Sequence, residues 1–382
     1  MVREMDVFVA HTPLHLLYSL SIINSKSLQD FRLFVINDFS AGVAVCNEFA
    51  QVSSYADRVH LLAGRYSLGG FVARNISPTK SRIRYYGAKL GSMLAQYSAK
   101  SKFIRIMKEK QIQRLYIFDD QRLDTQSLMS YVKEQNDYPH TQIVLVEDGT
   151  GVYYNSPYWQ FAELKNRLNW ILVALYGKNY TRVDRYGDHP LVECSIVLFP
   201  DDVNVSLKSK PVYRMPHFHL APEQASILSR AFSLGDQFAE IDQAVLLLLS
   251  YSETLKNHEK YKGFLLDLIE RHNAEGITII AKYHPREVHD DYLNLYGSKV
   301  IFEDKTVPAE LICASLGNRL LAIYSDYSSA LLTSGWINPD IKRIHLHPNT
   351  EDLARPQAAL ELDTLFEKHG VETVLISDLR TR

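Results

Sequence analysis

The sequence has few cysteines and almost no net charge, and each shortage excludes a class of protein. Its 382 residues include three cysteines, which lie far apart and form no Cys-x-x-Cys pair: Cys46, Cys194 and Cys313. Neither a disulfide framework nor a thiolate metal site is therefore expected, and a reducing compartment is indicated. The formal net charge of -2 gives no global reason to expect nucleic acid as a partner.

Long apolar runs are also missing. No segment reaches the roughly 18 uninterrupted apolar residues of a membrane span, and residues 1–17 contain no apolar run of signal-peptide length. The sequence therefore predicts a cytoplasmic protein. The stretch from Lys80 to Arg114 carries ten basic residues against the single acidic Glu109. It indicates either a peripheral contact with an anionic inner membrane or a solvated helix face, and the apolar patch 170–176 either enters a membrane surface or faces the core.

The familiar phosphate and metal signatures are missing as well. The sequence contains no Gly-x-Gly-x-x-Gly and no Gly-x-x-x-x-Gly-Lys, which argues against a standard dinucleotide fold and against a P-loop. It contains no Asp-x-Asp triplet and no group of His, Asp and Glu residues with recognisable metal spacing. We therefore expect neither a bound metal nor a cofactor.

Short apolar runs alternate with segments of helical length, which is typical of βαβ units in a parallel sheet covered on both faces. Five runs lie in the first half: MDVFVA, RLFVIN, RVHLLA, RLYIFDD and QIVLVED. Five more lie in the second half: AVLLLLS, ITIIAKYH, KVIFED, RLLAIYSD and KRIHLH. The looser stretch from about 200 to 240 suits a crossover between domains. We predict an α/β fold of two doubly wound, Rossmann-like domains facing a cleft, residues 1–225 and 240–382.

One segment of the first half, VEDGTGVYY at residues 146–154, combines two adjacent carboxylates with two glycines. Glu147, Asp148 and Gly149 directly follow an apolar strand, and ligand crevices lie outside the carboxyl ends of parallel strands. The segment is either part of a site or an ordinary turn, because Asp and Gly are common turn residues.

Four strand ends of the second half also carry polar groups. Glu253 follows the first of these strands, and His284 follows the second with Pro285 holding it in an extended conformation. Glu303 follows the third, and Ser328 and Ser329 stand at a predicted helix N-terminus after the fourth. An imidazole, two hydroxyls and a helix N-terminus can bind a phosphate, and a carboxylate can bind ribose hydroxyls.

Each of these features has an ordinary structural alternative. His284 could cap a loop, Ser328 or Ser329 could cap the helix without a ligand, and Asp304 or Thr306 could cap a helix that begins near Pro308.

The order of the motifs EDGTG, HPR, FED and YSDYSSALL resembles bacterial sialyltransferases of glycosyltransferase family 52. The related polysialyltransferases of family 38 share the acidic-Gly and His-Pro motifs, and the opening VFVAHTPLHLL is similar to the start of several of these enzymes. The resemblance implies two domains of the GT-B type, with an acceptor side in 1–225 and a nucleotide-sugar side in 240–382. It implies an inverting, metal-independent sialyltransferase that uses CMP-sialic acid and a galactose-terminated or lipooligosaccharide acceptor.

The resemblance also assigns roles to residues. His284, positioned by Pro285, matches the phosphate-binding histidine, and Ser328 and Ser329 match the hydroxyls at the same phosphate. Glu303 is similar in position to the ribose-binding carboxylate. Two residues compete for the general base, because Glu253 stands where family 52 has an aspartate, whereas family 38 would nominate Glu147. Asp148 and Gly149 are assigned to the acceptor side.

Three other functions remain open at this point. The donor could be another CMP-activated acid sugar, such as Kdo or a legionaminic-type sugar, or the product could be polysialic acid. The same architecture serves UDP-sugar 2-epimerases. A non-catalytic subunit of a glycan-assembly complex would share the fold without the chemistry.

Overall fold

A computed structural model describes residues 4–67, 82–108, 110–134, 140–155, 169–234, 238, 240–252, 258–289, 291–297, 299–347 and 356–376. The chain divides into two compact units, Met1–Phe232 and Ser233–Arg382. Each has its own parallel sheet. Within the described residues, no helix combines the length and the apolar character that crossing a bilayer requires.

The first unit is built on a seven-stranded parallel sheet in the order β3-β2-β1-β4-β5-β6-β7. Its strands are β1 Glu4–Ala10, β2 Phe31–Ile36, β3 Val59–Leu62, β4 Gln111–Ile117, β5 Gln142–Val146, β6 Cys194–Val197 and β7 Val212–Arg214. Its helices are α1 Pro13–Ser25, α2 Gly42–Ala50, α3 Arg82–Met107, α4 Leu123–Glu134, α5 Asn169–Tyr176, α6 Val205–Lys208 and α7 Pro222–Ala231.

The second unit has a six-stranded parallel sheet in the order β10-β9-β8-β11-β12-β13. Its strands are β8 Ala244–Leu248, β9 Thr278–Lys282, β10 Ile301–Phe302, β11 Leu320–Ser325, β12 Lys342–His347 and β13 Glu372–Leu375. Its helices are α8 His258–Ala274, α9 Ala309–Leu316, α10 Ala330–Ile337 and α11 Pro356–Lys368.

The cores form where the sequence is continuously apolar. The central strands are buried along nearly their whole length because helices cover both faces of each sheet. Phe8 of β1, for example, is fully buried and stacks on Tyr116 of β4 with ring centroids 4.2 Å apart. Polar groups therefore gather at the strand ends, where the chain leaves the core.

Both sheets reverse their winding direction at one point. In the first unit this switch lies between β1 and β4, and in the second it lies between β8 and β11. In doubly wound sheets a ligand crevice opens outside the carboxyl ends of the strands at such a point. The segments that follow these strands are therefore the first places to look for a site.

All ten predicted strands are present, and the part of the chain that the structure describes contains three that the sequence missed: β6, β7 and β13. The stretch 200–240, which the sequence assigned to a crossover, contains β7 and α7 of the first unit. β7 pairs with β6 in the first sheet, and α7 is tied to α2 by an ion pair between Arg230 Nε and Glu48 Oε2 at 2.6 Å. The first unit thus continues to Phe232.

Candidate active site

Glu147, the first residue after β5, is an internal carboxylate. Its side chain is 1% exposed. Tyr18 Oη donates to its Oε1 at 3.3 Å, while the hydroxyl of Tyr153 and the backbone N–H of Leu198, at 2.7 Å, donate to its Oε2. Burial raises the pKa of Glu147 to about 7, and the donated hydrogen bonds offset only part of that effect. Both oxygens are thus occupied by protein groups.

Asp148, the next residue, points the other way, as alternation along an extended chain dictates. Its side chain is 27% exposed. His15 Nε2 lies 2.7 Å from its Oδ1, and Tyr186 Oη donates to its Oδ2 at 3.3 Å. Burial alone would raise the pKa of Asp148, but the neighbouring His15, with Arg122 and His11, outweighs burial and lowers that pKa. Asp148 is therefore an ionised carboxylate with access to solvent.

The two glycines of this segment are required by its backbone and by its neighbour. Gly149 has φ of 61°, a left-handed conformation that favours glycine. A Cβ on Gly151 would lie 2.5 Å from the ring of Tyr186, which is the ring whose hydroxyl reaches Asp148. The conformation of the Glu147–Gly151 segment is thus fixed by its glycines and by packing against Tyr186.

A second layer of charge lies behind this segment, at the ends of β2 and β4. Arg122 Nη2 lies 2.5 Å from Asp38 Oδ2 and 2.9 Å from Asp124 Oδ2. Asp124 Oδ2 in turn lies 3.3 Å from His11 Nε2. This half-buried arginine, shared between two carboxylates, fixes the connection from β4 to α4.

Two further carboxylates, Asp119 and Asp120, follow β4. Burial, and next the charge of Asp148, raise the pKa of Asp119 to about 7. Burial raises the pKa of Asp120 to about 6, although backbone N–H groups of Gly187 and His189 donate to its Oδ2. Sequence reasoning missed this layer. The run FDDQRLD after a strand was a usable signal, since it has the same form as VEDG.

In the second unit, the four polar segments of the sequence follow four strands that are consecutive neighbours in the sheet. Glu303 follows β10, His284 follows β9, and Ser328 and Ser329 follow β11. Glu253 follows β8 but lies outside the described residues. The topology thus brings the predicted segments to adjacent positions on one sheet edge.

His284 is partly buried at this edge. Its Nδ1 accepts a hydrogen bond from the backbone N–H of Arg286 at 3.1 Å. Burial, followed by the charges of Arg286 and Lys282, lowers the pKa of His284 to about 4. At neutral pH the ring is therefore uncharged, and because Nδ1 is the acceptor its proton lies on Nε2. The ring is thus a neutral donor and not an imidazolium.

Glu287 connects three of these strand ends. Its side chain is 2% exposed, and its carboxylate accepts from the backbone N–H groups of Ser252, Val288 and His289 at 2.9, 2.9 and 3.1 Å. Its carbonyl accepts from Lys305 Nζ at 2.9 Å. The segments after β8, β9 and β10 are thus held in a fixed relation by one residue, which sequence reasoning did not single out.

The remaining predicted residues occupy loop and helix-start positions. Glu303 is partly exposed, and its Oε1 accepts from Asp304 N at 3.2 Å. Ser328 Oγ accepts from Ala330 N at 3.2 Å, so it caps the start of α10, while Ser329 makes no side-chain cap. Pro308, and not Asp304, occupies the cap position of α9.

Metal-binding geometry is not found in the part of the chain that the structure describes: no group there of three or more His, Cys, Asp or Glu side chains could hold an ion.

Comparison with known proteins identifies the family. The profile described as alpha-2,8-polysialyltransferase (POLYST) matches residues 99–347, which is more than half of the chain. The chain therefore belongs to this family, and the resemblance to bacterial sialyltransferases is confirmed. Among curated proteins, no sequence match is found.

Solved structures show the same fold at low sequence identity. The GT-B domain of a sialyltransferase from Photobacterium damselae superposes with a TM-score of 0.56 and 14% identity, over 97% of this chain and 100% of that one. A sialyltransferase structure from Photobacterium damsela superposes with a TM-score of 0.55 and 15% identity, over 98% of this chain and 82% of that one. A UDP-GlcNAc 2-epimerase from Methanocaldococcus jannaschii superposes with a TM-score of 0.49 and 12% identity, over 98% of this chain and 89% of that one. Family and fold together identify a GT-B glycosyltransferase of the sialyltransferase type.

The internal position of Glu147 predicts a pH effect on stability. The folded state keeps the Glu147 proton up to about pH 7, whereas an unfolded glutamate loses it near pH 4.3. Glu147 should therefore contribute a share of the unfolding free energy that is lost as pH rises through this window. Glu147→Gln, which cannot titrate, should lack this contribution. In urea unfolding at pH 5, 6, 7 and 8, the unfolding free energy of the wild type minus that of the variant should decrease as pH rises.

Glu223→Gln, at an exposed position of α7, is the matched control and should keep the wild-type slope. Other groups with shifted pKa values, such as Asp119, Asp120 and His284, contribute to the slope of all three proteins alike, so the difference between slopes isolates Glu147. Identical slopes for wild type and Glu147→Gln would contradict the internal role of Glu147.

Proposed function

We propose that the protein is an inverting, metal-independent sialyltransferase that moves sialic acid from CMP-sialic acid to a glycan. The family match carries the proposal, because residues 99–347 include both the Glu147–Gly151 segment and the strand ends from His284 to Ser329. The proposed acceptor is a surface oligosaccharide such as lipooligosaccharide, ending in galactose or in sialic acid. The donor contains one phosphate, so its departure does not need a divalent cation.

Asp148 is the general base of the proposed reaction. As the acceptor hydroxyl attacks the anomeric carbon, its proton passes to the carboxylate, and the bond from that carbon to the CMP phosphate oxygen breaks. The base must be ionised and within reach of the substrate. Asp148 has a lowered pKa and a side chain that is 27% exposed, whereas Glu147 is 1% exposed and burial raises its pKa to about 7. Glu253 is the competing assignment.

The strand ends of the second unit bind the departing nucleotide. The neutral ring of His284, whose backbone Pro285 holds extended, donates its Nε2–H to a phosphate oxygen. Negative charge develops at that oxygen as the nucleotide leaves. Ser329 and the first N–H groups of α10 supply further donors, and Ser328 orders that helix start. Glu303 accepts from the ribose hydroxyls. Glu287 holds the segments after β8, β9 and β10 in a fixed relative position.

The proposed location is the surface of an anionic membrane, reached through α3 and α5. Ala95, Ala99 and Phe103 of α3 are buried at four-residue spacing, while Leu94 and Tyr97 are 55% and 73% exposed. Trp170 of α5 is 73% exposed, and Tyr176 Oη donates to Gln96 Oε1 at 3.1 Å, which ties the two helices together. Exposed apolar side chains within the basic stretch 80–114 and on the helix tied to it fit an anionic lipid surface.

Three substitutions that replace a carboxylate by its amide test the assignment of the base. Asp148→Asn should lower turnover from CMP-sialic acid by about a hundredfold or more, as removal of a general base does. Glu147→Gln should lower it less, because that residue acts through packing. A larger loss in Glu253→Gln than in Asp148→Asn, at saturating substrates, would overturn the assignment. Lactose-terminated and sialyl-terminated acceptors, assayed side by side, distinguish single addition from polymer growth.

The phosphate role of His284 predicts two linked losses. His284→Ala should lower turnover by about a hundred- to a thousandfold, as removal of one oriented donor does, and should weaken the rise in Tm that CMP produces in the wild type. UDP should produce little rise; a larger rise with UDP would favour the epimerase reading, and none with either nucleotide a non-catalytic subunit. A rise in Tm with CDP but not with CMP would favour a different cytidine-linked donor.

The membrane proposal predicts a selective loss of lipid binding. The triple variant Leu94→Ser, Tyr97→Ser, Trp170→Ser should sediment less with vesicles that contain anionic lipid, while transfer to a water-soluble acceptor stays at the wild-type rate. Val205→Ser, at a 57% exposed position of α6, is the control. Equal sedimentation with neutral and anionic vesicles would contradict the proposal.

A further inference from the structure

His15, in the first turn of α1, occupies an unusual position for a histidine. Thr12 caps the helix by accepting from His15 N at 3.3 Å, and Pro13 is its first residue. The His15 side chain is 1% exposed. Its ring stacks on Phe118 with centroids 4.2 Å apart and planes 7° apart. The helix start and the ring stack thus fix both the place and the plane of the imidazole.

Both nitrogens of this ring are engaged. His15 Nδ1 accepts from the backbone N–H of His11 at 3.2 Å, so in the neutral ring the proton lies on Nε2. That proton points at Asp148 Oδ1, 2.7 Å away. The ring is a donor to the carboxylate, and since Nδ1 already accepts from His11, neither nitrogen is open to a substrate proton. His15 is therefore not itself a base.

We propose that His15 is the positioning residue of the general base, whose carboxylate it holds in one orientation. The inference rests on the proposed function, in which Asp148 takes the acceptor proton. A carboxylate free to rotate would spend part of its time turned away from the acceptor hydroxyl, and geometry of this kind governs proton transfer. With Oδ1 held by His15, Asp148 keeps one rotamer.

Other groups also set the charge on Asp148. The charged or titratable groups that face it are Glu147 beside it, Tyr186 from the loop after α5, Asp119 and Arg122 after β4, and His11 after β1. His15 lowers the pKa of Asp148 most among the groups that lower it. Removing the donor should therefore raise that pKa, so that the acid limb of the rate profile moves to higher pH.

Two substitutions separate the donor from the ring. His15→Phe keeps the stack on Phe118 and removes the N–H, whereas His15→Gln keeps an N–H near the Nε2 position and removes the ring. The measurement is kcat and kcat/KM for transfer from CMP-sialic acid between pH 5 and 9, with circular dichroism and Tm to confirm folding. His15→Phe should lower kcat by about ten- to a hundredfold, which is less than loss of the base itself, and should shift the acid limb upward. His15→Gln should restore much of both.

The outcomes distinguish this inference from the proposed function. If Asp148→Asn is inactive while folded His15→Phe keeps the wild-type kcat and acid limb, Asp148 remains the base and the role of His15 is wrong. If Asp148→Asn stays active, the base assignment fails first. If His15→Phe does not fold, His15→Leu, which also lacks the donor, replaces it: lower kcat with an acid limb shifted upward supports the inference, and wild-type values of both overturn it.

Discussion

Two adjacent carboxylates at the end of one buried strand cannot share one environment, and the first unit depends on how their charges are separated. Extended backbone sends neighbouring side chains to opposite sides. Glu147 therefore enters the interior, where Tyr18, Tyr153 and Leu198 satisfy it. Asp148 is left at the surface of the site. Burying a carboxylate is costly unless it is hydrogen-bonded or protonated, and here the donors and a raised pKa meet that cost together.

The same division explains the rest of the segment. Gly149 turns the chain in a left-handed conformation, and Gly151 leaves room for Tyr186 to reach Asp148. The N-terminal HTPLH belongs to the same arrangement, because the helix it starts carries His15 to Asp148. Two motifs that are 133 residues apart thus form one unit, and the parallel sheet brings them together.

Sequence patterns predicted the architecture well, because the apolar runs of a doubly covered parallel sheet are strong signals. They missed β7 and β13, which are edge strands with much exposed surface and therefore little apolar pattern. The site was predicted as a set of strand ends, and their adjacency follows from the strand order. Roles within each end were not predictable: that Glu147 is saturated, that His284 is neutral and that Glu287 joins three loops depends on contacts that no local pattern encodes.

The separation of the two carboxylates is tested most directly by observing their protons. Carbon-13 labels in the carboxyl groups, assigned by comparison with Asp148→Asn and Glu147→Gln, report each titration separately in the folded protein. Asp148 should titrate below the ordinary aspartate range and Glu147 near pH 7, with Asp148 moving upward in His15→Phe. If both titrate at ordinary values, or if Asp148 holds its proton to higher pH than Glu147, the account of this site is wrong.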